Sequence, residues 1–189
     1  MSIESYLQAC ASSIEAMATW KSLPNVELAI EALTQCAQAN RPILVCGNGG
    51  SAADSMHIAG ELVGRFLKER RAINCRSIAA DPAILTAWSN DYEYGTVFSR
   101  QVEAYGDRGG VLLGLSTSGN SGNIIAALEA AHGRGMTTIG LTGQGGGRMA
   151  PLTDILIDVP STSTPFIQQI HICLYHYICQ EVERRVCGS

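Results

Sequence analysis

The chain has 189 residues, a length that suits one domain with a core large enough to need no disulfide or metal staple. Apolar residues make up 46% of it and charged residues 16%, which excludes an intrinsically disordered chain. Thirteen basic side chains against 17 acidic ones give a net charge of −4, so no basic footprint for nucleic acid is present.

The opening "MSIESYLQAC" lacks the basic start and apolar stretch of a signal peptide, and no run reaches the roughly 18 apolar residues of a membrane span. A soluble, cytoplasmic protein is expected. The seven cysteines, Cys10, Cys36, Cys46, Cys75, Cys173, Cys179 and Cys187, contain no Cys-x-x-Cys pair and lie mostly in apolar runs, as reduced, buried thiols do. Amphipathic segments over 3–20 and 25–39 come first, as an oligomerisation element or as an extra layer on a sheet.

Five short apolar runs follow: "PILVC" (42–46), "CRSIA" (75–79), "VLLGL" (111–115), "TTIGL" (137–141) and "ILIDV" (155–159). They do not alternate with polar residues, which is how strands of a parallel sheet buried on both faces read. Helical period appears between them in "SAADSMHIAGELVGRFL" and "SGNIIAALEAAHGRG", and again in a long segment over 165–186. The alternation predicts a doubly wound α/β fold, with a five-stranded parallel sheet between layers of helices. The expected organisation is one domain over 1–189, with a helical segment over 1–40 and an α/β core over 41–189. Ligands of such folds sit past the carboxyl ends of the strands. That directs attention to "GNGGS" after the first strand, "STSGNS" after the third and "TGQGGG" after the fourth.

Gly47, Gly49 and Ala52 fit the dinucleotide fingerprint G-x-G-x-x-[GA]. The acid that should hold the ribose about 20 residues on is missing; Asp81 comes about 30 residues after the loop. The reading left is a bare backbone that approaches a small polar ligand, with Asn48 and Ser51 adding hydrogen bonds. In "STSGNS", Ser116, Thr117, Ser118 and Ser121 put four hydroxyls at a helix start. Free N–H groups and the helix dipole favour an anion there. Capping by Ser118 or Ser121 needs one hydroxyl and not four, so a phosphate monoester site is expected.

On the helix after Ser51, Asp54, His57, Glu61 and Arg65 fall within an arc of about 80° and read as one polar face. Ala52, Met56, Ala59, Leu62, Val63 and Phe66 fall on another arc, the expected core face. His57 and Glu61, at i and i+4, can share a divalent metal or can be a solvated surface pair. The last helix offers Gln168, His171 and His176. The two histidines lie about 140° apart around the helix, so they should not serve one site. Geometry leans to His171, which shares a face with Gln168, and leaves His176 open.

Taken together, "CGNGGSAADSMHIAGELVGRF", "ILTAWSNDYEY", "VFSRQVEAYG", "STSGNS", "GLTGQGGG" and "TPFIQQIHICLYH" resemble the sugar isomerase (SIS) domain family, and within it the phosphoheptose isomerases. The likeness runs in order from about residue 40 to 182. It implies a flavodoxin-like SIS fold and the isomerisation of sedoheptulose 7-phosphate to D-glycero-D-manno-heptose 7-phosphate on the way to bacterial surface heptose. It implies one Zn²⁺ per subunit on His57, Glu61, Gln168 and His176, which decides for His176 over His171. It implies substrate contacts from Asn48, Gly49, Gly50, Ser51, Glu61, Asn90, Asp91, Ser116, Thr117, Ser118, Ser121 and Gln168, and a homotetramer with active sites at subunit contacts. Within that reaction Glu61 is assigned as base and His176 as acid. The chain departs from the family pattern at Ser163, where an acid is usual, at Gln169, where Glu is usual, and at Gly122, where Pro is usual. Relatives that bind a partner protein such as the replication initiator, without catalysis, share the two loops. The acid–base and metal set discriminates against that alternative. An isomerase for another sugar phosphate is the other alternative.

Overall fold

The computed structural model describes residues 1–188. Seven α-helices and five strands lie along these residues: α1 (Ile3–Met17), α2 (Pro24–Gln38), β1 (Ile43–Gly47), α3 (Gly50–Val63), β2 (Cys75–Ser77), α4 (Pro82–Asp91), α5 (Val97–Tyr105), β3 (Val111–Ser116), α6 (Gly122–Gly133), β4 (Thr137–Thr142), β5 (Ile155–Asp158) and α7 (Thr164–Cys187). The strands form one parallel sheet in the order β2-β1-β3-β4-β5. All five expected strands are present, and the sheet is parallel as the apolar runs implied.

Side chains alternate between the two faces of the sheet, as the period of a strand requires. Ile43 and Val45 of β1, with Val111, Leu113 and Leu115 of β3, enter a core shared with α2, α3 and α7. Leu44, Cys46 and Leu112 enter a second core with Phe98, Val102, Ile124 and Leu128 from α5 and α6. Both faces are therefore apolar, and the runs show no polar alternation for that reason. At Gly114 a β-carbon would stand 3.0 Å from Ile124, so the glycine lets α6 lie close on the sheet.

Helices α4 and α5 were not among the expected elements. Asp81 starts α4: its carboxylate accepts from the Ala83 and Ile84 amides at 2.9 and 3.1 Å, with Pro82 at the first helical position. The acid too distant for a ribose contact is thus a helix cap.

Of the two leading helices, α2 buries Val26, Ala29, Ile30 and Leu33 and is a full member of one layer. By contrast α1 buries only Met17 and leaves Ile3, Leu7 and Ile14 exposed. Not all the thiols are buried either: Cys173 and Cys187 are exposed. Among the described residues no helix is long and apolar enough to cross a membrane.

Candidate active site

The strand order reverses direction between β1 and β3, the place where such sheets open a crevice at their carboxyl ends. Two loops meet there. The first turns at Gly49, in the left-handed region at φ 56°, before α3 starts at Gly50. The second turns at Gly119, φ 65°, where any side chain would also overlap the Gly146 carbonyl. Asn48 in the first loop and Asn123 at the start of α6 exchange two amide hydrogen bonds, at 2.9 and 2.8 Å. The Tyr94 hydroxyl donates to the same Asn48 oxygen at 2.8 Å. This pairing fixes the spacing of the loops.

Between them lies a cavity of about 200 Å³, lined by Asn48, Gly50, Ser51, Leu115, Ser116, Thr117, Ser121, Thr164 and Gln168. Its edge suits an anion. Ser121 occupies the cap position of α6 but makes no capping bond; its hydroxyl pairs with that of Ser116 at 2.9 Å. The helix N-terminus therefore keeps its donors for something else. Ser118 does not line the cavity, and its hydroxyl accepts from the Asn120 amide at 3.1 Å. The loop "TGQGGG" props the serine loop from behind. Gly143 donates to the Thr117 carbonyl, and Arg148 and Met149 donate to Asn120 and Gly119. Asn90 and Asp91 stand exposed at the end of α4, bonded to each other at 3.0 Å.

Helices α3 and α7 run side by side in the same sense. Gln168 lies against Gly50, Tyr175 against Asp54 and His57, and the Glu183 carboxylate against the amides of Phe66, Leu67 and Lys68. A β-carbon on Gly50 would overlap the Gln168 amide, so the glycine makes room for that side chain. His57 and Glu61 face each other, Nε2 to Oε1, at 3.0 Å, and His176 Nε2 lies 3.5 Å from His57 Nε2. One ligand atom from each of His57, Glu61 and His176 falls within 4.8 Å of the others. The His57 side chain is 45% exposed, which leaves one side of the cluster open to a substrate.

His171 is elsewhere. It is fully buried, its Nε2 reaches the Thr142 carbonyl at 3.3 Å, and burial pushes its pKa down to about 4. It is a neutral core histidine, and the helical geometry that favoured it over His176 misled because Gln168 and His176 contact different turns of α3.

Two expectations for α3 need correction. The polar face is a surface only in part: His57 and Arg65 are exposed as expected, but Asp54 is buried. The core face is Ser51, Ser55, Ile58 and Leu62, whereas Met56 and Val63 are exposed. The buried arc lies between the two predicted ones, because α7 covers the Asp54 side of the polar stripe and, among the described residues, nothing covers Met56 and Val63. Arg65 has left the stripe and pairs with Glu69 at 3.1 Å.

Burial pushes the Asp54 carboxyl above its usual value, against the Tyr175 hydrogen bond and the His57 ring. Burial and the Asp54 carboxylate also push the Tyr175 hydroxyl up, so it keeps its proton. Sequence reading missed Tyr175, Asn123, Tyr94 and Thr164. A tyrosine inside an apolar helix reads as core, and Tyr175 is 99% core by area with only its hydroxyl at the site. Of the departures from the family pattern, Ser163 caps α7 without a side-chain bond, and Gln169 donates to the Tyr6 hydroxyl of α1 at 3.3 Å.

The parallel sheet with its ligand loops at the switch point is the fold of the SIS class of sugar-phosphate isomerases. The SIS domain model matches residues 5–143. The phosphoheptose isomerase of Desulfovibrio desulfuricans is 53% identical over 148 residues, 78% of this chain and 70% of its own. That of Akkermansia muciniphila is 45% identical over 187 residues, 99% and 98% of the two chains. The solved phosphoheptose isomerase of Neisseria gonorrhoeae superposes with a TM-score of 0.89 at 39% identity over 96% of each chain. The chain belongs to the phosphoheptose isomerase family, enzymes that interconvert an aldose and a ketose.

Proposed function

We propose that this enzyme converts sedoheptulose 7-phosphate to D-glycero-D-manno-heptose 7-phosphate, in the cytoplasm, for bacterial surface heptose such as that of lipopolysaccharide. The observation that carries the reading is the convergence of His57, Glu61 and His176 beside the serine-lined cavity, with Gln168 at its wall. A protein that only binds a partner has no use for that cluster.

Two imidazole nitrogens and a carboxylate oxygen are the donor set Zn²⁺ takes in catalytic sites, with a position left open. His57, Glu61 and His176 would hold it; Gln168, whose amide lies against Gly50, is assigned as the fourth ligand by its match to the family pattern. When bound, zinc supplies Lewis-acid polarisation of the sugar carbonyl and stabilises the oxyanion charge. Glu61 takes the carbon-bound proton and returns it to the neighbouring carbon, by way of an enediolate. His176 moves protons on the oxygens. Asn48, Gly49, Gly50, Ser51 and Gln168 hold the sugar, and Asn90 and Asp91 are assigned to it by their match to the family pattern. Ser116, Thr117, Ser121 and the α6 N-terminus hold the phosphate, whose binding orients the reacting end, and Ser118, outside the cavity lining, is assigned to it by its match to the family pattern.

A homotetramer with sites at subunit contacts fits the uncovered apolar surface. Ile3, Leu7, Ile14, Ile172 and Tyr177 are exposed on α1 and α7, Ile14 and Tyr177 lining an apolar groove of about 490 Å³, and Met56 and Val63 are exposed beside the active site.

Removing two phosphate hydroxyls at once tests the anion site. Ser118→Ala with Ser121→Ala raises KM about tenfold or more, roughly 1.4 kcal/mol of binding, with kcat little changed. An unchanged KM in steady-state assays would put the phosphate elsewhere.

A further inference from the structure

Tyr175 has two neighbours at its hydroxyl and only one proton to give. Its oxygen lies 3.3 Å from Asp54 Oδ1 and 2.9 Å from His57 Nδ1. The other Asp54 oxygen is buried with no partner among the described residues. The bond from the Tyr175 hydroxyl to Oδ1 is the one bond that the Asp54 carboxylate receives among these residues. An ionised carboxylate only accepts. If Tyr175 turned its proton to His57, Asp54 would be left buried with neither oxygen satisfied, an arrangement folded proteins avoid. With a cation rather than a proton between His57 Nε2 and the Glu61 carboxylate 3.0 Å away, the Tyr175 proton therefore points to Asp54, and the Tyr175 oxygen accepts from His57 Nδ1–H.

We infer that Tyr175 is a positioning residue: anchored by Asp54, it holds His57 in the Nδ1–H tautomer and so keeps the Nε2 lone pair free for a metal ion. Nε2 is the atom 3.0 Å from Glu61 and 3.5 Å from His176, the centre of the cluster. The edge-on packing of the His57 ring on Tyr175, 5.4 Å between centroids and 74° between planes, fixes the ring's orientation as well. In effect a carboxylate–imidazole support is present with a phenol inserted as the link. The inference rests on the metal reading of this site, and its test is arranged so that the two fail separately.

The experiment uses the full chain, ¹⁵N-labelled and free of metal, at a pH of about 8.5 where imidazoles are neutral. The tautomer is read with Glu61→Gln in place, because its amide can donate to Nε2 where the carboxylate would only take a proton from it. Long-range ¹H–¹⁵N correlation reports the tautomer of His57, assigned with an added His57→Gln change. Competition with a chromophoric chelator, with Glu61 intact, then reports zinc affinity. With Tyr175 present His57 shows Nδ1–H. Tyr175→Phe, which removes one oxygen and no packing, shows mixed tautomers and binds zinc about tenfold more weakly or worse. Asp54→Asn, whose amide can donate as well as accept, falls between the two in both measurements. An Nε2–H form with Tyr175 present, an unchanged tautomer in Tyr175→Phe, or an unchanged zinc affinity there overturns the inference. A wild type that binds no zinc would count against the metal reading of the site, while the tautomer shift in metal-free protein still decides the role of Tyr175.

Discussion

Glu61→Gln lowers kcat by about 10²–10⁴, the usual worth of a positioned proton-transfer group. The amide keeps the size of the carboxylate and loses its basicity. Stability is expected to hold, because the Glu61 side chain is partly exposed and bonds only to His57 among the described residues. His176→Ala gives a loss of the same order for a different reason: it removes both the oxygen-side acid and one nitrogen of the cluster. Turnover at saturating sugar phosphate, with circular dichroism to confirm the fold, checks both. Near-normal turnover in either variant contradicts the assignment of base and acid.

The second large effect is on stability and lies two turns beyond the site. The side chains of Glu183 and Arg70 are 2% and 3% exposed and meet at 3.1 Å. Glu183 also accepts from the Phe66, Leu67 and Lys68 amides at 2.6–2.8 Å, which ties the chain leaving α3 onto α7. Glu183→Ala leaves Arg70 buried without its partner and three amides without an acceptor. The expected cost is about 3–5 kcal/mol, a large part of a typical total of about 5–15. In a chain of this size that is a fall in Tm of roughly 6–20 °C. The pH dependence has a definite sign. Burial works to raise the Glu183 carboxyl, but the three amides and Arg70 outweigh it and hold the group below the usual carboxylate range. Its stabilisation is complete above the unfolded value of about 4.3 and is lost as the pH falls through the folded one. Wild-type Tm should therefore drop more steeply on acidification than that of Glu183→Ala. Parallel melting curves across that range would show that the ion pair carries no such weight.

Much of the architecture could be read from the residues because the central strands β1, β3 and β4 are buried on both faces and announce themselves as apolar runs. The two ligand loops were legible for a related reason: glycines and hydroxyls cluster where backbone must approach an anion. Helices α4 and α5 were not: α4 buries no residue completely, and α5 spans only nine residues, too few for its stripe of Val97, Phe98 and Val102 to stand out as a helical period. The face of α3 was misread because a helix at a site has a buried polar side. Asp54 and Ser55 are inside, and Met56 and Val63 are outside. Amphipathicity assumes that water covers whatever is polar, and here α7 does. The choice between His171 and His176 depends on how α7 lies along α3, which no spacing within α7 contains. Tyr175 was invisible for the same reason, since its role depends on which side chains of α3 its hydroxyl meets.

The central claim is that the cluster of His57, Glu61 and His176 acts with a bound metal on a heptose phosphate. One assay tests it most directly: isomerisation of sedoheptulose 7-phosphate by the purified chain, before and after treatment with a chelator, then after addition of Zn²⁺. The account predicts formation of the aldose phosphate, its loss on chelation and its recovery with zinc. Undiminished turnover in the stripped protein, or no isomerisation of this substrate with zinc supplied, would contradict it.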